Sequence, residues 1–78
     1  MNAHIERLIK ILRDNGFAAA WNGKHIFVHL NGSRLSSRTF DLYSTIDHAR
    51  ADLSEIGPCE VFAHTKKKGI GITVYIPS

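Results

Sequence analysis

The side chains best suited to chemistry in this chain are rings placed at every second position: His25, Phe27 and His29 in one stretch, Phe62 and His64 in another, and Tyr75 near the end. In an extended strand a spacing of two puts side chains on one face, so each group would present its rings together. Lys24, Arg34, Arg38 and the run Lys66, Lys67 and Lys68 accompany them. Bases can stack on such rings while phosphates meet the cations. An exposed aromatic patch also marks protein interfaces. A protein partner is therefore the first expectation and nucleic acid the second, with a homodimer through the same face as a further possibility.

Other chemistries find little footing. His25 and His29 are separated by four strand residues, about 13 Å at the usual rise, too far to share a metal ion, and no metal site is expected. No Gly-rich loop follows a strand to cradle phosphates, no Ser or Cys lies in a nucleophile motif, and the acids gather on the second helix. The chain reads as a binding module and not an enzyme, and no cofactor is implied. Cys59 is the only cysteine, so no internal disulfide can form; it is expected to fill space in a strand.

The elements that must position these residues are legible from hydrophobic period. Ile5, Leu8, Ile9 and Leu12 form one apolar helical stripe, predicting a helix over about residues 3–14 that ends at Asn15-Gly16. Phe17–Trp21 and Lys24–Leu30 flank Asn22-Gly23, a strong hairpin signal. A second pair, Asn31-Gly32, predicts that Arg34–Thr39 returns as a polar edge strand. Leu42, Ile46, Ala49, Leu53 and Ile56 predict a second helix over about 42–55, capped by Asp41 or Ser44 and stopped by Gly57-Pro58. Cys59–Thr65 and a strand lined by Ile70, Ile72, Val74 and Ile76 then form a hairpin around Lys66–Gly69. His4 and His48 read as ordinary surface residues near helix starts.

At an offset of 41, Ile5 matches Ile46, Leu12 matches Leu53, Gly16 matches Gly57 and Trp21 matches Phe62. At an offset of 46, Ile26, Val28 and Leu30 match Ile72, Val74 and Ile76. The plan is one α+β domain, residues 1–78, of two consecutive α-β-β halves at about 3–40 and 41–78. An antiparallel sheet of four or five strands with both helices on one face buries both stripes. With Ile26, Val28, Leu30, Val61, Ala63, Ile72, Val74 and Ile76 in the core, the period of two sends His25, Phe27, His29, Phe62, His64, Thr73 and Tyr75 to the opposite face.

Composition agrees with a folded module: 78 residues, 44% hydrophobic and 22% charged, too apolar for a disordered segment. The longest purely apolar run is five residues, Phe17–Trp21, against the roughly 20 of a membrane span. The N-terminus alternates charged and apolar residues and lacks the pattern of a signal peptide, so a cytoplasmic protein is expected. The net charge of +3 divides into +4 over residues 1–40, −4 over 41–65 and +3 over 66–78, an asymmetry that can orient an anionic partner.

The stretch Leu8-Ile9-Lys10 through Asn15-Gly16-Phe17, then Gly23-Lys24-His25-Ile26-Phe27 and His29, resembles the opening of HicA-type toxins. Those are small ribonucleases with a double-stranded-RNA-binding-like fold and a catalytic histidine in a Gly-Ser-His stretch, so the resemblance implies that His25 is catalytic. It covers about the first 30 residues. Position 24 is Lys where the family has Ser, and this chain continues through another hairpin beyond the second helix, where that family ends. In its small size and lack of enzyme motifs the chain also resembles the modulators of phages and mobile elements, including anti-CRISPR proteins. An inhibitor with this positive charge would cover an acidic protein surface or bind nucleic acid, since a DNA mimic needs dense acid.

Overall fold

In a computed structural model of the chain, residues 2–30 and 35–77 are described. They form the α+β architecture expected, in the order α1 (Ala3–Asp14), β1 (Ala18–Trp21), β2 (Ile26–His29), α2 (Leu35–Ile56), β3 (Glu60–Lys66) and β4 (Gly69–Tyr75). The four strands make one antiparallel sheet in the order β1-β2-β4-β3. Each hairpin contributes one central and one edge strand, and the two halves meet where β2 pairs with β4.

Helix α1 is defined at both ends by local chemistry. Asn2 Oδ1 accepts the Ile5 N–H at 2.9 Å, supplying an acceptor to a first-turn donor that has no helical partner. At the other end Gly16 takes φ +86, and the Phe17 and Gly16 N–H groups bond back to the carbonyls of Leu12 and Arg13. That pattern is the Schellman stop, which needs a residue free of Cβ strain at positive φ. Phe17 then enters the core beside Leu12, both buried.

Helix α2 begins well before the predicted residue 42. Residues 35–39, expected to return as an edge strand, are helical, and Asp41 and Ser44 lie inside the helix instead of capping it. No Gly or Pro interrupts 35–56, and once a helix is nucleated each added residue gains a hydrogen bond. Arg38 anchors the extension, donating from Nη2 to Gly16 O at 3.2 Å with its guanidinium 4.3 Å from the centre of the Phe17 ring. The helix ends before Gly57-Pro58, because a residue preceding Pro is driven out of the helical region.

The apolar stripes are buried as predicted except at Ile56, which is exposed at the end of α2: Ile5, Leu8, Ile9 and Leu12 of α1 and Leu42, Ile46, Ala49 and Leu53 of α2 close over Ala19, Ile26, Val28, Val61, Ile70 and Ile72 of the sheet. Cys59, just ahead of β3, and Val74 pack partly against this core, whereas Ile76 lies beyond β4 and is exposed. His4 is the correction here. Only 7% of it is exposed, and its Nε2 donates to Gly57 O at 3.0 Å, tying the first turn of α1 to the exit of α2. His48 is exposed, as expected, but lies midway along α2.

The pseudo-repeat is real in architecture and off by one residue in the outer strands. Ala19 pairs with Val28 and Trp21 with Ile26, while Val61 pairs with Val74 and Ala63 with Ile72. The equivalent of Trp21 is therefore Ala63, not Phe62. The second half carries one extra residue between helix and strand, and a one-residue slip reverses which face a side chain takes. Trp21 packs against the core and Phe62 points to the other side.

Candidate binding face

The sheet face away from the helices has no other element of the described residues over it, and its contents follow from register. Continuing the β2–β4 pairing by one step, a first row across the sheet reads Asn22, His25, Thr73, Phe62. The next reads Ala20, Phe27, Gly71, His64, and the third Ala18, His29, Gly69, Lys66. Tyr75 and Glu60 pair beyond the first row. Ring residues on β2 and β3 thus flank a central strand whose open-face positions include two glycines.

Both glycines lie at close approaches, and at Gly69 the neighbour is backbone. A Cβ on Gly71 would lie 3.0 Å from Lys66 Cε and 3.2 Å from His25 Cδ2 and Nε2. A Cβ on Gly69 would run into the Val28 carbonyl oxygen and come within 2.9 Å of Phe27 Cζ. His25, Phe27 and Lys66 therefore lean across β4 where no side chain holds them off, which is why the first two are half-buried. Lys66 Cε and His25 lie around the same point, so their separation is at most the sum of those two distances. Phe62 and Tyr75 stand free, 47% and 52% exposed, and His29 and His64 are exposed too.

The β1–β2 turn orients His25. Gly23, at φ +92, and Lys24 form its tip, one residue later than the predicted Asn22-Gly23, and Asn22 keeps negative φ. Asn22 Oδ1 accepts the N–H groups of Lys24 and His25 at 2.9 and 2.8 Å, and Asn22 N–H donates to His25 O. With its oxygen occupied, the Asn22 amide nitrogen faces His25 Nε2 at 3.2 Å and donates to it, leaving the ring proton of the neutral form on Nδ1.

The cations divide. Lys24 sits at the turn at one end of the face, and Lys66 with the turn residues Lys67 and Lys68 at the other, all exposed. Arg38 does not join them, being held at Gly16 and Phe17 on the helical side, and Arg34 lies outside the described residues. Glu60 is the one acid among the strand positions of this face. Among the described residues no three His, Cys, Asp or Glu side chains come together to hold a metal ion, and no helix is long and apolar enough to cross a membrane.

Asn22 and Gly69 were singled out from the sequence only as turn residues, and Gly71 was not singled out. The signal for the glycines was there: Gly69-Ile70-Gly71-Ile72 places glycine at every second position of a strand, and glycine inside a strand marks close approach by something else.

No protein-family model, curated protein or solved structure matches the chain. The geometry of the face therefore carries the functional reading.

Proposed function

We propose that the chain is a small non-enzymatic binding module whose open sheet face takes a short stretch of single-stranded nucleic acid. One observation carries this: rings on β2 and β3 border the glycines of β4, with Lys24 at one end and Lys66, Lys67 and Lys68 at the other. Base–aromatic stacking needs exposed ring surface and tolerates any base sequence, while cations beyond the rings meet the backbone. An antiparallel sheet presenting rings on its uncovered face suits two or three stacked bases.

Titration of the protein into labelled single-stranded DNA and RNA at low salt tests this. Binding is expected, with Phe62→Ala and Tyr75→Ala each weakening it by about 1–3 kcal/mol, the usual worth of one stacked base. Both side chains stand largely in solvent, so the variants keep their fold. Absence of binding to either polymer at low salt overturns the reading and shifts weight to a protein partner seated on the same rings. Gel analysis of the RNA after incubation reads out ribonuclease chemistry at His25: cleavage lost in His25→Ala supports catalysis there, and intact RNA removes it.

A further inference from the structure

The two edges of the sheet are finished differently. The four residues of β1 present few outward backbone groups, and Arg13 Nε donates to Ala19 O at 2.9 Å. At the equivalent position on the other edge Arg50 Nη1 donates to Val61 O at 3.2 Å, but β3 continues for five more residues. The two-residue turn Lys67-Lys68 makes Lys66 and Gly69 the hydrogen-bonded pair that closes the hairpin. Alternation along an antiparallel ladder then turns the N–H and C=O of Val61, Ala63 and Thr65 away from β4. Beyond Val61 O, no element of the described residues pairs with this row.

We propose that a second copy of the chain pairs antiparallel along β3, with Ala63 opposite Ala63 on the two-fold axis. The register is set by charge. Centred on Ala63, the strand Glu-Val-Phe-Ala-His-Thr-Lys places Glu60 opposite Lys66, Phe62 opposite His64 and Val61 opposite Thr65, and the two-fold repeats each pair. Opposite charges directly across a strand pair stabilise it, and like charges destabilise it. Shifting the centre by one residue in either direction removes the Glu60–Lys66 match. An isologous contact needs self-complementarity of this kind, and strand addition at an open edge supplies its main-chain bonds. The result is one eight-stranded sheet in which the two ring-bearing faces become continuous. This dimer does not depend on what that face binds, and it differs from a dimer formed through the face.

Mass measurement in solution over the micromolar range tests it, against the 8.7 kDa of the single chain. The wild-type protein is expected at twice that mass. Ala63→Pro removes an outward N–H at the axis, at an edge position where proline is tolerated, and should give a monomer with an unchanged circular dichroism spectrum. Glu60→Lys should also give a monomer, because Lys then faces Lys across both outer pairs, and adding Lys66→Glu should restore the dimer. A wild-type protein that stays monomeric throughout, a dimer that survives Ala63→Pro, or a charge swap without rescue overturns the proposal.

Discussion

The two hairpins share one plan and divide the work unequally. The first is short, with four residues per strand, and its outer strand offers only Ala18 and Ala20 to the open face. The second has seven residues per strand and carries Phe62, His64, Lys66 and Tyr75 there. Their inner strands lie side by side at the centre of the core, where Ile26, Val28, Ile70 and Ile72 are all fully buried. A repeated architecture thus keeps the positions that bury the helices alike, while the outer strands are free to differ in length and in what they expose. The second hairpin supplies most of the side chains on the proposed binding face, and the first contributes the β2 rings and the turn that orients His25.

The comparison can be broken hardest at the core. Leu12→Ala and Leu53→Ala remove equivalent, fully buried side chains. Each should cost about 2–5 kcal/mol, with both variants melting in a single transition if the halves fold together. A second transition in either melting curve would show that the halves are separate cooperative units.

The glycines of β4 sharpen the contrast between its two neighbours. Gly69→Ala meets the Val28 backbone, which cannot yield cheaply, and should destabilise by about 1–3 kcal/mol, as overpacking usually does. Gly71→Ala meets the movable end of Lys66 and the His25 ring at ordinary strand φ. Its melting temperature should change little, since the entropy gained by replacing Gly, about 0.4–1 kcal/mol, offsets the crowding. Oligonucleotide affinity should still fall because His25 and Lys66 are displaced. Equal losses of stability at the two positions would contradict the geometry.

Salt dependence separates the ends of the face. Four lysines engaging phosphates predict a slope of log K against log salt of about −3, at about −0.7 per contact on single strands. Replacing Lys66, Lys67 and Lys68 by Ala should reduce it to about −0.7, and Lys24→Ala alone should change it by about 0.7. The smallest effect belongs to the edges. Arg13→Ala and Arg50→Ala each remove one hydrogen bond to a strand carbonyl and should lower stability by about 0.5–1.5 kcal/mol in denaturant titrations.

Much of this was legible in the sequence because it is local. The stripe from Ile5 to Leu12 specified α1, and the alternation of β2 and β4 specified which side chains face away from the core. Of the proposed binding residues, Lys24, His25, Phe27, His29, Phe62, His64, Lys66, Lys67, Lys68 and Tyr75 lie on or at the ends of the open face. Arg38 was misplaced because its position depends on whether 35–39 extends a helix or pairs as a strand. Asn31-Gly32 pointed locally to a strand, and the contact of Arg38 with Phe17 and Gly16 belongs to the helix instead.

The period of each segment, fixed by backbone geometry, was therefore sufficient by itself for the type and face of α1, β2 and β4, but not for residues 35–39, which join α2. What only the tertiary structure decided was adjacency: that β2 and β4 lie side by side, that His4 reaches Gly57, and that His25 and Lys66 both lean over Gly71. Those contacts join residues up to 53 positions apart. No local period encodes such pairings, because they join segments distant in the chain and are settled only when both helical stripes are buried against one sheet.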